Sequence, residues 1–453
     1  MSNFAIDGRT APAGPSDHAD HHVVIVGGGA AGLELATQLG DRLHRTGEGR
    51  VTLLDHSHTH LWKPLLHSVA AGSLKPSEHE LSYLAQAHWH NFRFRFGEMV
   101  GVDRTRKLVM TAPTYDEDKR LITPAGSISY DTLVIAVGSV TNDFGAPGVA
   151  EYAIPLETAE QAKRFNRRLI NACLRAQTQA DPIRPGQLHI AIIGAGATGT
   201  ELAAELHRTV REVIAFGLDR IDPESDIRII LVEASARILP ALPERISASA
   251  EALLKKLDVQ IQTGDQVTEV RADGIRLSNG EFIPAELVVW AAGVKAPVGL
   301  REIGGLDTNR INQLIVTQTL QTTRDPNIFA IGDCAECPRP GFKTPVPPRA
   351  QAAHQQASHL FRQIQRHIRG KPLAPYSYRD FGSLVSLGRH EAFGSLMGFL
   401  GGRNFRVEGF IARLIYRSLY KMHEYALSGS RKVVFSILAR GLSSKSEPQV
   451  KLH

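Results

Sequence analysis

Hydrophobic positions along this chain fall into two periods. Short runs dense in Val, Ile and Leu occur at 22–26, 188–193 and 227–232 and predict fully buried strands. The first two run into glycines and then into helical patterns, Ala30-Ala-Gly-Leu-Glu34 and Ala197-Thr-Gly-Thr-Glu201. Two more apolar runs, 130–138 and 286–293, end in small residues, and 327–333 ends in Gly-Asp. Strands alternating with helices predict an α/β protein. Arg349–Leu360 opens another helix, rich in small residues, with Gln351 and Gln355 four apart and therefore on one face. Near the C-terminus, Ile411, Ile415, Leu419 and Met422 share one helical face and Arg413, Arg417 and Lys421 the opposite one.

The glycines sharpen this picture. Gly27, Gly29 and Gly32 fit G-x-G-x-x-G after a strand and before a helix, and the next apolar strand ends in Asp55. Such glycines let backbone approach a pyrophosphate at a helix N-terminus, flanked here by Ala30 and Ala31, and the acid can hold ribose hydroxyls. The arrangement recurs at Gly194, Gly196 and Gly199, with Ala197 and Thr198 in the turn and Glu233 ending the second strand. A carboxylate at that strand end repels a 2′-phosphate and favours NADH, although Arg237 lies nearby. The economical reading of two copies is bound FAD in one unit and transient NADH in the other. Ala136, Gly138 and Gly293 end matching strands where backbone can approach a nucleotide, and Gly332-Asp333 can bind a flavin's ribityl hydroxyls.

Composition adds limits. The chain has 453 residues, 43% hydrophobic and 22% charged, which suits two or three domains. Its three cysteines do not make a disulfide scaffold, so a reducing, cytoplasmic setting is expected. The first 19 residues read as a loose leader, and no apolar run is long enough to span a membrane. The net charge of +6 is concentrated: residues 401–453 carry ten Lys/Arg against three acids, the rest 42 against 43. Combined with the 410–424 pattern, this predicts a helix lying on an anionic membrane, or a packed amphipathic helix or dimer interface. A second basic-apolar segment follows at 431–440.

Several segments resemble the bacterial type II NADH:quinone oxidoreductases, within the flavoproteins that carry two dinucleotide-binding domains. They are His60–His67, Thr308–Gln313, Arg349–Gln355, Gly382–Leu387 and Lys451–His453. The family's A-Q-x-A-x-Q quinone-site pattern is met at Ala350, Gln351, Ala353 and Gln355. The resemblance implies a peripheral enzyme on the cytoplasmic face of the bacterial inner membrane, commonly a homodimer. It implies hydride transfer from NADH to FAD, then reduction of a quinone such as ubiquinone or menaquinone without proton pumping. It places Gly27, Gly29, Gly32, Asp55, Asp333 and Lys63 at the flavin, and Gly194, Gly196, Gly199 and Glu233 at NADH. Glu201 matches a carboxylate near both rings. A quinone offers carbonyls that become hydroxyls, and a neutral amide can serve both forms. Gln351 and Gln355 are therefore expected to face the quinone, ahead of His354 and Gln356.

Other signals carry less. Cys334-Ala-Glu-Cys337 directly follows Gly332-Asp333 and lacks the placement of a redox pair. His56, His58, His60 and His67 read as loop histidines, and no metal or nucleic-acid site is expected. Phe-Gly-Ser-Leu, repeated at 381–384 and 393–396, suggests paired strands. The expected architecture is α/β, with two Rossmann-like units. A discontinuous FAD domain (20–150 and 300–380) holds an inserted NADH domain (151–299), followed by an amphipathic membrane and possibly dimer-forming segment (381–453). The competing readings are a sulfide:quinone or ferredoxin-type reductase and a nucleotide-binding sensor.

Overall fold

The computed structural model of the protein describes residues 20–387, 391–397, 404–408 and 427. The leader at 1–19 and the tail patterns at 410–424 and 431–440 lie outside the described residues.

The chain opens with β1 (His21–Val26), α1 (Ala30–Thr46), β2 (Gly49–Asp55), α2 (Leu66–Ala71), β3 (Arg93–Phe96) and β4 (Thr132–Ile135). It then crosses to β5 (Ala153–Pro155), α3 (Ala159–Thr178), β6 (His189–Ile193), α4 (Ala197–Ala215), β7 (Arg228–Glu233), β8 (Val259–Thr263) and β9 (Leu287–Trp290). It returns through β10 (Gln321–Thr322), β11 (Asp325–Ala330) and α5 (Ala350–Ile368), and continues into β12 (Gly382–Leu387), β13 (Glu391–Met397) and β14 (Asn404–Glu408).

Two sheets result. The first has the order β10-β11-β4-β1-β2-β3, and the second β5-β9-β6-β7-β8. In both, the glycine-loop strand is central and pairs in parallel with the acid-ended strand on one side. On its other side it pairs in parallel with a strand leading to Gly138 or Gly293. Parallel strands buried on both faces explain the unbroken apolar runs: Val23, Val24 and Ile25 are fully buried, as are Ile190, Ala191 and Ile192.

The join between the halves is more interleaved than the linear order suggests. Helix α2 belongs to the first segment, yet Leu66, Val69 and Ala70 pack in the core of the NADH half. Val385 and Leu387 of β12 lie in that same core. Leu427, from the tail, is fully buried in the core of the FAD half. The two Phe-Gly-Ser-Leu copies do pair: β12 and β13 are antiparallel, with Leu384 opposite Gly394 and Ser383 opposite Ser395.

Candidate active site

The first glycine loop divides its work among positions. Gly27 has φ +100°, and a Cβ there would collide with the Ala136 backbone. One at Gly32 would collide with the Gly27 carbonyl. At Gly29 nothing lies within 4 Å of where a Cβ would stand. Gly29 also caps α1 without a side chain, so the first-turn N–H groups face this open space, a cradle suited to the pyrophosphate of FAD. Gly194, Gly196 and Gly199 repeat the pattern, with Gly196 the open position.

The two strand-end acids are built alike. Asp55 Oδ2 accepts from the Gly28 N–H at 2.6 Å and Oδ1 from the Ser57 N–H at 2.7 Å. Glu233 Oε2 accepts from the Ala195 N–H at 2.8 Å and Oε1 from the Ser235 N–H at 2.9 Å. Each carboxylate thus braces its own glycine loop, and any bond to a ribose uses the lone pairs that remain. Arg237 is engaged with backbone: it donates to the carbonyls of Leu239, Pro240 and Leu242 at 3.3, 2.9 and 2.9 Å.

Both loops open on a single cavity of about 1720 Å³ between the halves. All the expected site residues line it except Gly32, Gly194, Gly199 and Glu233. The volume suits a dinucleotide with a second substrate, since single small-molecule pockets run to roughly 1,000 Å³.

Sequence reasoning missed the residues that tie this cavity together. Ser139 accepts at its carbonyl from Lys63 Nζ (2.8 Å) and donates from its hydroxyl to Asp333 Oδ2 (2.8 Å). It thereby joins three separate segments beside Gly138. Gln356, almost fully buried, accepts the Gly332 N–H at 2.7 Å. Tyr83 donates to the Gly28 carbonyl at 2.8 Å, and burial, then the nearby Asp55, raises its phenol well above the ordinary value of 10.0. Glu34 in α1 takes His354 and Ser358 of α5. Only Ser139, placed directly after a strand-ending glycine, carried a usable signal in the sequence.

Gln351 and Gln355 make contacts that the sequence did not predict. Both line the cavity, but their amides are engaged with backbone. Gln355 accepts the Arg379 N–H at 2.9 Å and donates to the Arg379 carbonyl at 2.8 Å. Gln351 accepts the Phe381 N–H at 3.1 Å and donates to the Gly382 carbonyl at 2.9 Å and to Asp380 Oδ1 at 3.3 Å. Together they pair with segment 379–382 much as an adjacent strand would. The helix face behind them is small because Ala352, Ala353 and Ala357 are buried in the core of the FAD half.

Glu201, in the second turn of α4, is only 5% exposed and lies on the cavity wall. Its Oε1 accepts the Ser386 N–H of β12 at 2.9 Å. The cysteines are poor redox candidates: Cys334 and Cys337 are fully buried, and burial pushes each thiol up to about 12. Among the described residues no cluster of three or more His, Cys, Asp or Glu could hold a metal ion, and no helix is long and apolar enough to cross a membrane.

The pyridine nucleotide-disulphide oxidoreductase family profile matches residues 21–357. A type II NADH:quinone oxidoreductase of Haemophilus influenzae is 42% identical over 444 residues, spanning 95% of this chain and 100% of that one. The type II NADH:quinone oxidoreductase NdhA of Mycobacterium tuberculosis is 30% identical, over 93% of this chain and 87% of its own. Among solved structures, NDH2 from Plasmodium falciparum in complex with NADH superposes with a TM-score of 0.80 at 18% identity, covering 96% of this chain and all of that one. The sulfide:quinone oxidoreductase of Aquifex aeolicus gives a TM-score of 0.71 at 19% identity, covering 94% of this chain and 96% of that one. At such identities these two speak to the fold alone.

Proposed function

The chain belongs to the type II NADH:quinone oxidoreductases, within the pyridine nucleotide-disulphide oxidoreductase family, and we propose how the large cavity divides that activity among named residues. The enzyme oxidises NADH and reduces a quinone, with FAD as its cofactor. Bound FAD supplies a two-electron carrier between the two substrates. The α1 N-terminus at Gly29–Ala31 holds its pyrophosphate, Asp55 its ribose, and Asp333 and Lys63 the region nearer the ring. Gly196–Thr198 at the α4 N-terminus hold the NADH pyrophosphate, and Glu233 disfavours NADPH. Gln351 and Gln355 hold segment 379–382 as the wall against which a quinone rests. The observation that carries this division is the opening of both glycine loops onto the same cavity.

A sulfide-oxidising reading needs an accessible thiolate, and the burial of Cys334 and Cys337 opposes it. The spacing of Arg413, Arg417 and Lys421 in the sequence supports attachment to an anionic membrane surface, and the cytoplasmic side and a homodimer are what the family resemblance adds to this reading.

Two rapid-mixing measurements test the assignment. NADH should bleach the bound flavin, and a short-chain quinone should then restore its colour. In Gln355→Leu the bleaching rate should stay within about twofold, because the glycine loops are untouched. The quinone KM should rise on the order of tenfold, since two Arg379 backbone groups lose their partners, at about 1 kcal/mol each. Impaired bleaching with an unchanged quinone KM would overturn the division.

A further inference from the structure

Behind Glu201 the structure holds a histidine that the reaction as described does not use. His67, on α2, is 5% exposed. Its Nδ1 lies 3.3 Å from Glu201 Oε2 and its Nε2 lies 3.4 Å from Glu205 Oε2. Glu201 and Glu205 are one turn apart on α4 and therefore share a face. The three groups sit at different depths. Glu201 lines the cavity, His67 is buried behind it, and the Glu205 side chain is 15% exposed. Glu205 also accepts from Ser68 Oγ at 2.8 Å and from the Ser73 hydroxyl, and lies 3.6 Å from an Arg208 nitrogen at the surface edge. The second Glu201 oxygen is occupied by the Ser386 N–H, so Oε2 is the one turned to the imidazole.

A purely structural clasp is a weak explanation of this row. Leu66, Val69 and Ala70 already fix α2 against the NADH half through apolar contact. Burying ionisable groups adds a desolvation cost that apolar residues of similar size would avoid. An imidazole with a carboxylate at each nitrogen is instead the arrangement that moves a proton: one nitrogen accepts while the other donates.

Quinone reduction by NADH creates the need. NADH supplies two electrons and one hydrogen nucleus, whereas a quinol carries two new protons, so one proton per turnover comes from solvent. We propose that Glu205, His67 and Glu201 form a relay that carries this proton from solvent into the cavity. This rests on the reading of the site as an NADH:quinone oxidoreductase. Glu205 takes the proton from water and passes it to Nε2. The Nδ1 proton moves to Glu201 Oε2, and Glu201 delivers it to the cavity. Exchange of protons with water, off Nε2 and onto Nδ1, restores the starting tautomer before the next turnover. Apo distances slightly longer than ideal are ordinary for groups that tighten on substrate binding.

The test uses the FAD-loaded enzyme and the variant His67→Gln, which keeps a polar group between the helices but cannot shuttle a proton. Bleaching by NADH should be nearly unchanged. Reoxidation by a short-chain quinone should slow on the order of 10²-fold, with partial rescue by added imidazole. A second readout needs no quinone: infrared difference spectra on dithionite reduction. The Glu201 carboxyl band, assigned by its loss in Glu201→Gln, should appear more slowly in His67→Gln than in the native protein. If His67→Gln does not fold, Glu205→Gln is measured in its place. Native reoxidation without imidazole dependence, together with a native rate for the infrared band, would overturn the relay. A native enzyme that bleaches with NADH but never reoxidises with quinone would instead overturn the functional reading, and the infrared band would still judge the relay.

Discussion

At the scale of single residues, the glycines of one motif have different consequences. Gly32→Ala drives a Cβ into the Gly27 carbonyl, so the loop must shift, and the variant should lose both FAD and thermal stability. Gly29→Ala meets open space, so the apoprotein should melt near the native temperature while FAD retention falls. Calorimetry with and without added FAD separates the two. His22 and His60 set a pH limit. Burial lowers each from 6.5 to about 4. The folded protein therefore binds fewer protons than the unfolded chain between those values. Stability from these groups is full above about pH 6.5 and falls as pH drops toward 4, by up to roughly 3 kcal/mol per residue. Urea melts at pH 7 and pH 5 should differ in this direction, and His60→Phe should flatten the difference if its ring packs without strain. Cys334 and Cys337 should resist alkylation in the native protein and react on unfolding, as mass spectrometry can count.

At the scale of elements, helix α5 shows how much of the site was legible in the chain and where reading stopped. Its periodicity marked Gln351 and Gln355 as sharing a face, and its small residues as allowing a close approach, but not which core they would pack against. It did not reveal that the amides would meet the 379–382 backbone, because that segment reaches them only through the tertiary return of the chain. The same limit hid Gln356, which sequence spacing set aside. Gln356→Leu should leave the Gly332 N–H without its partner, at about 1 kcal/mol, beside Asp333. FAD retention and Tm should fall together there, while Gln351→Glu should weaken the wall through repulsion of Asp380 and spare FAD. Absorbance of bound flavin and a melting curve distinguish these outcomes.

At the scale of the whole molecule, the two Rossmann units are clasped, not merely strung together. Helix α2 crosses from one half into the core of the other, and β12 does the same from the far end of the chain. The cavity consequently has walls from both halves and from segment 379–382. The tail adds the expected route to a membrane. Because Leu427 is buried in the FAD half, deleting the tail would disturb the core as well as any anchor. Reversing Arg413, Arg417 and Lys421 to Glu is the cleaner test. The variant should lose sedimentation with vesicles containing anionic lipid while retaining bound FAD, and wild-type binding should weaken as salt rises.

The local chemistry was fixed by the order of residues alone. Strand, glycine turn, helix and terminal acid are all neighbours along the chain, and their spacing expresses backbone sterics and the helix dipole. The two antiparallel Phe-Gly-Ser-Leu copies were legible for the same reason, being close in sequence. Only the tertiary structure decided that both loops face one cavity, that Ser139 joins Lys63 to Asp333, and that His67 stands between Glu201 and Glu205. Those contacts join residues brought together by packing across the two cores, where a linear pattern records which residues are buried but not which buried residues meet.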